Sequence, residues 1–212
     1  MKRHLFSLFI LIFAVFTWIV VMQGGKTALT DEPQQTPSQE EDAPEATQTV
    51  IKGESEIPIE AAKAWAISRG ATEDFVSIAD EYWRVGELMG IRADVLYAQA
   101  AKETAFGNYT GIVTADMNNW AGIKTVNATG DTREDHQFFN NAETGVQAHF
   151  NHMAAYVGIA PLGDVHPRYY SVMTTAWSGT IEFVEQLGGK WAPSGEYGES
   201  VVNDYLSTIS AL

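Results

Sequence analysis

From Lys26 to Glu56 the chain carries no aromatic side chain, and its few apolar residues mark neither a helix face nor a strand. That stretch limits where a fold can begin. Its Gln, Thr, Pro, Ser, Glu and Asp cannot bury enough apolar surface to offset the ordering of a backbone, so residues 26–56 read as a disordered linker. The acids Asp31, Glu32, Glu40, Glu41, Asp42, Glu45, Glu54 and Glu56 outnumber Lys26 and Lys52. Self-repulsion should therefore extend the segment. The remaining C-terminal stretch, residues 57–212, has the length of one ordinary domain.

The residues before the linker differ sharply. Lys2 and Arg3 precede an apolar run from Leu5 to Met22. As a helix it would reach about 27 Å, close to the ~30 Å hydrocarbon core of a bilayer. Residues 1–25 are thus expected to form a signal anchor or transmembrane helix, with the basic end in the cytoplasm and the domain outside the membrane. Small residues suited to signal cleavage fit poorly around Gln23–Ala28, which favours an uncleaved anchor. If the signal is cleaved, the domain is secreted. An acidic tether of this kind suits a substrate that is itself a fixed network near the membrane.

Composition excludes several chemistries. There is no cysteine, so a disulfide framework, a thiolate zinc site and a cysteine nucleophile are all ruled out. The net charge of −14 argues against nucleic acid as a partner, because a phosphate backbone needs a basic face. No G-x-S-x-G phrase supports a nucleophilic serine.

Beyond Ile57 the apolar spacing is helical. Pro58 opens a helix running to Gly70, and Thr72 caps a second whose Phe75, Ile78, Ala79, Tyr82 and Met89 share one face before Gly90 stops it. A third begins near Ala93 and sets Leu96, Gln99 and Glu103 on one side. Residues 107–141, rich in Gly, Asn, Thr and Asp, read as a loop with room for a short hairpin. Val146, His149, Phe150, Met153 and Val157 mark another helix ending at Gly158, and two more are expected over Thr180–Leu187 and from Ser194 to about Ile209. The expected fold is predominantly α, with a small loop or β-hairpin element.

Glu103 stands out for its position. A carboxyl group on the inner face of an apolar helix has its neutral form favoured by desolvation, the condition a general acid needs near neutral pH. Phe106, Asn119 and Trp120 lie close in sequence and offer the aromatic faces and amide that grip sugars. Trp191 and Tyr197 are further candidates for substrate subsites, while Trp65, Trp83 and Trp177 read as packing. A two-carboxylate glycosidase needs a second acid opposite the first, and the loop 130–139 supplies Asp131, Glu134 and Asp135. Attack by the substrate's own acetamido oxygen is the alternative.

ETAFG at 103–107 and NWAGIK at 119–124 resemble the glutamate and the Asn-x-x-Gly-Ile-Lys signature of the bacterial glucosaminidases, glycoside hydrolase family 73. The resemblance continues through HQFF (136–139), GVQAHFNHMAAYVG (145–158) and LGGKWAPSGEY (187–197). It implies a lysozyme-like α+β fold, peptidoglycan glycan strands as partner, and cleavage of the β-1,4 bond after N-acetylglucosamine with Glu103 protonating the leaving oxygen. It also implies a second acid two residues after a threonine, matching Thr132 and Glu134, with Asp131 next in rank. Where many relatives carry a Tyr-Ala pair followed by a second Tyr, this chain has Trp191-Ala192 and Tyr197.

Three rival readings remain from the sequence. A wall-binding module could keep the groove without a competent second group, and a lytic transglycosylase also uses one glutamate on a related fold. A zinc amidase would draw on His136, His149, His152 and His166, but no H-E-x-x-H spacing is present and His149 falls on an apolar face. No metal and no other cofactor is expected. A regulatory membrane-protein partner is left unidentified.

Overall fold

The computed structural model describes residues 48–209. The expected anchor and residues 26–47 of the expected linker lie outside them. Among the described residues no helix is long and apolar enough to cross a membrane.

Helices carry the domain. The first, α1 (Ile59–Ser68), starts after Pro58 and buries Ala62, Trp65 and Ala66. Thr72 caps α2 (Glu73–Ser77), its Oγ1 accepting from the Phe75 N–H at 3.2 Å. The single helix expected over 72–90 is divided at Ile78, and α3 (Ala79–Met89) then runs to Gly90, which is left-handed at φ 63°. The stripe Phe75, Ile78, Ala79, Tyr82 and Met89 is buried, as its spacing required.

At the centre lies α4 (Ala93–Thr104), with ten of its twelve residues buried. A helix enclosed on all sides must be apolar or small nearly all round, and Ala98, Ala100 and Ala101 let its neighbours approach. It packs against α3 and against the C-terminal helical segment. Next comes α5 (Ala142–Val157), capped by the Asn141 Oδ1 accepting from the Thr144 N–H at 2.8 Å. A Cβ on Gly145 would fall 1.8 Å from the Asn118 carbonyl oxygen, so only glycine lets the preceding loop rest on this helix.

Three elements depart from the sequence reading. A helix unforeseen among His, Pro and Tyr residues, α6 (Pro167–Met173), is held by buried Tyr169 and Val172. The helix expected over Thr180–Leu187 contracts to a 3-10 turn at Val184–Leu187. The last helix begins at Tyr197 rather than Ser194, as α7 (Tyr197–Ser200), and continues through a π-helical stretch, Val201–Leu206, into α8 (Ser207–Ile209).

The end of the linker also needs correction, because residues 49–56 belong to the folded unit. Ile51 is fully buried, and backbone bridges join Val50 to Phe183 and Lys52 to Ile91. The Ser55 Oγ accepts from the Ala93 and Asp94 N–H groups at the start of α4 (2.9 and 3.3 Å). Glu56 pairs with buried Arg92 at 2.6 Å, and Arg92 in turn pairs with buried Asp94 at 2.8 Å. Apart from the Ile51 side chain these contacts are made by backbone and polar groups, and one buried apolar residue sets no periodicity. Around the cleft, Lys124 and His136 form an antiparallel bridge, with Thr125 N–H to Asp135 O and Gln137 N–H to Ile123 O both at 2.8 Å. That is the small β element expected in a predominantly α domain.

Candidate active site

Glu103 occupies the last turn of α4, whose end is fixed by left-handed Ala105 and Phe106. Its side chain is half-buried, and burial raises its pKa above the usual carboxylate range. Three weaker effects oppose that rise: a hydrogen bond from Tyr197, the nearby charge of Lys102, and Trp191. Gly122 closes the other side. It is left-handed at φ 60°, and a Cβ there would stand 3.2 Å from the Glu103 Oε2.

Behind the acid runs a chain of buried hydrogen bonds. The Tyr197 hydroxyl donates to the Glu103 Oε1 and accepts from the Gln99 Nε2 at 2.9 Å. The Gln99 Oε1 meets the His149 Nε2 at 3.1 Å, and the His149 Nδ1 meets the Tyr82 hydroxyl at 3.0 Å. The donors must alternate in one direction. An ionised Glu103 only accepts, so Tyr197 donates to it and must receive from the amide of Gln99. The Gln99 oxygen then faces His149, whose proton sits on Nε2, leaving Nδ1 to accept from Tyr82. Burial holds His149 neutral, its pKa lowered to about 3, as that tautomer requires. Every hydroxyl dipole in the row points toward the carboxylate.

On the far side of Gly122 and Trp191 a cavity of about 500 Å³ opens, lined also by Lys124, His152, Tyr156 and Arg168. Trp191 forms one wall, half-buried, with ring centroids 5.0 Å from His152 and 5.3 Å from Tyr156. A half-buried acid beside an open, aromatic-walled cavity has the arrangement of a sugar-cleaving site.

Residues 79–206, more than half of the chain, match the family described as mannosyl-glycoprotein endo-beta-N-acetylglucosaminidase. The chain belongs to the glucosaminidase family. It is a glycoside hydrolase, and its family supports the glycan of peptidoglycan as the substrate class. A protein of Borreliella burgdorferi, described as uncharacterized, is 28% identical over 184 residues, covering 77% of this chain and 86% of its own length. No solved structure matches the chain.

In this family member several residues expected to touch sugar do something else. Asn119 is fully buried, its amide donating to the Ile123 and Gln137 carbonyls (2.9 and 3.1 Å) and its oxygen accepting from the Ile123 N–H at 2.9 Å. All its bonding capacity goes into the turn that brings Gly122 to the acid. Trp120 is buried too, its indole N–H bonded to the Ala142 carbonyl at 3.1 Å and its ring packed near Phe75 and Tyr109. Phe106 packs among Trp65, Phe75 and Tyr205, with centroids 4.9, 6.0 and 5.9 Å away. These three are structural, and Tyr197 serves the acid rather than a sugar ring. Trp191 keeps its place on the cavity wall.

The candidate second acids separate by their partners. Asp131 is exposed but paired with Lys124 at 3.0 Å and lies 3.4 Å from His136. Asp135 closes the capping box with Thr132, and hydrogen bonds from the Thr132 and Thr129 backbone hold its pKa down to about 2. Glu134, exposed on the 3-10 turn Arg133–Asp135, has no side-chain hydrogen bond or ion pair among the described residues. Gln99, Gly122, Tyr156 and Arg168 went unnoticed as site residues in the sequence. Gln99 had one legible signal, its place four residues before Glu103 on the same helix face.

Among the histidines, His149 is committed to Gln99 and Tyr82, and the His136 Nδ1 to the Thr132 carbonyl at 2.9 Å. No group of three or more His, Asp or Glu among the described residues is arranged to hold a metal ion.

Proposed function

We propose that this chain is an endo-β-N-acetylglucosaminidase that cuts the β-1,4 bond after N-acetylglucosamine in wall glycan, with Glu103 as general acid. The observation that carries the reading is the environment of Glu103. Burial favours its protonated form before the reaction, and the Tyr197 hydroxyl stabilises the carboxylate left once the proton has passed to the leaving oxygen. Opposed influences of this kind bring an acid's pKa toward the working pH, where general acid catalysis is most effective.

Glu134 is the proposed second carboxylate. Its two neighbouring acids are engaged in an ion pair and a turn, whereas Glu134 is free to act on a sugar or a water. A separation of ~5–5.5 Å between the working carboxylates would correspond to retention, and ~6.5–9.5 Å to inversion. We place the domain outside the membrane on the apolar N-terminal segment, a reading supported by the basic residues that precede it.

The test is product analysis. The full chain is incubated with purified peptidoglycan, the digest reduced with borohydride, and the new ends identified by mass spectrometry. Reducing N-acetylglucosamine is expected. Reducing N-acetylmuramic acid, anhydromuramic ends, freed stem peptides or no product would each overturn the proposal, in favour of a muramidase, a transglycosylase, an amidase or a binding module respectively.

A further inference from the structure

The cavity beside Glu103 is electrostatically at odds with the rest of the chain. The protein carries a net charge of −14, yet the cavity wall holds Lys124, Arg168 and Lys190 and no Asp or Glu. Two of these cations are already engaged, Lys124 with Asp131 at 3.0 Å and Lys190 with the Gln186 carbonyl at 2.7 Å. Arg168, on α6 and half-buried, has no ion pair or hydrogen bond among the described residues. Withdrawing a guanidinium partly from water without a counter-charge is costly unless a ligand supplies one. One more donor waits nearby, the buried Trp177 indole N–H, which lines the same cavity without a partner, and beside it the His152 Nδ1 is also unpaired, a donor or an acceptor according to its tautomer. Surface lysines would attract anions loosely. A planar, unpaired guanidinium in a walled cavity suits an oxyanion that can accept two parallel N–H bonds, and the acid groups of a muramyl unit and its stem are carboxylates.

We propose that the Arg168 cavity binds a carboxylate carried by the muramyl residues of the glycan, and so sets which bond of the alternating strand meets Glu103. The inference rests on the glucosaminidase reading above. N-acetylglucosamine is neutral, so in an alternating strand only the muramyl units bring acid groups. Two sources share that chemistry. Where the stem peptide is attached the lactyl carboxyl is amidated, and the free carboxylates belong to the peptide; where the stem has been removed, the lactyl group itself is the carboxylate.

The test compares soluble strands with stems attached and strands stripped of stems, each with carboxylates intact or amidated with methylamine. The full wild-type chain is expected to lose about 10–10² in kcat/KM when the relevant carboxylate is amidated, the range for one charge-assisted pair. Arg168→Met should lose a similar factor on the intact substrate and be indistinguishable from wild type on the amidated one, and Arg168→Lys should recover part of the loss. Sensitivity in stem-bearing strands alone assigns the peptide carboxylate; sensitivity in stripped strands alone assigns the lactyl group. Equal losses by Arg168→Met on intact and amidated strands, or no effect of amidation on the wild type, would overturn the proposal. The amidation arm needs no variant, so a poorly folding Arg168→Met leaves the test decisive. Reducing-end identity in the same digests reports separately on the glucosaminidase reading.

Discussion

Replacing Tyr197 with Phe removes one oxygen and tests how the acid is set. The lost hydroxyl donates to the Glu103 Oε1 and accepts from the Gln99 Nε2. A hydrogen bond to a carboxylate is worth about 1.5–3 kcal/mol, and it stabilises only the ionised form. Its loss therefore raises the pKa of Glu103 further. At 1.36 kcal/mol per unit, the alkaline limb of kcat/KM, where the acid loses its proton, should move upward by roughly 1–2 pH units. Below that limb the variant should be slower, because a weaker acid transfers its proton less readily. A second effect comes from the amide left behind. An unpaired buried Gln99 N–H costs about 1–3 kcal/mol, lowering Tm by roughly 2–12 °C for a domain of this size. Gln99→Met combined with Tyr197→Phe removes the stranded amide but leaves the buried His149 Nε2–H without its acceptor, so the double variant should stay destabilised while the limb remains displaced. pH–rate profiles on soluble glycan and thermal melts by circular dichroism measure both. A limb that stays in place, or moves toward acid, would refute this account of how Glu103 is tuned.

Other perturbations bear on separate parts of the site. Glu103→Gln should lower the rate at least ~10²-fold with an unchanged far-UV spectrum, and undiminished activity would remove Glu103 as the acid. Glu134→Gln should cost ~10²-fold or more without shifting Tm, since the exposed side chain has no partner to lose; activity near wild type would favour substrate assistance instead. Gly122→Ala forces a side chain into a left-handed conformation costing about 1–2 kcal/mol and crowds the Glu103 Oε2 at 3.2 Å, so both Tm and kcat should fall. Stability should also decline in acid. Burial lowers the pKa of His149 to about 3 and that of His166 to about 4, whereas the unfolded chain takes up these protons near pH 6.5. From pH 6.5 downward the unfolded state binds more protons, so stability drops by up to ~1.4 kcal/mol per pH unit for each group, until the folded pKa is reached. His149→Gln should flatten that slope in melts between pH 6.5 and 4, and an unaltered slope would count against a neutral buried His149.

The helical part of the fold was largely legible in the sequence, and for a physical reason. Burying one face of a helix demands apolar residues at a fixed spacing, and Phe75, Ile78, Tyr82, Leu96, Phe150 and Met153 all went where that spacing put them. The break at Ile78 and the short α6 were not legible, since each depends on what the chain packs against rather than on its own pattern. Residues 49–56 were read as linker because Ser55 and Glu56 join the fold through capping and an ion pair.

The same division runs through the site. Residue pattern alone put Glu103 on the inner face of a small-residue helix, followed it with an Asn-Trp-Gly turn, and led that turn into a loop holding three acids. What each residue does there was settled by packing in three dimensions. Asn119 and Trp120 spend their polar atoms on backbone carbonyls, Tyr197 turns its hydroxyl to the acid, and Arg168 is left facing a cavity without a counter-charge. Periodicity records which face of an element leaves water, because that requires a residue type at a spacing. It does not record which hydrogen-bond partner a buried polar atom meets, because that partner arrives from a distant part of the chain.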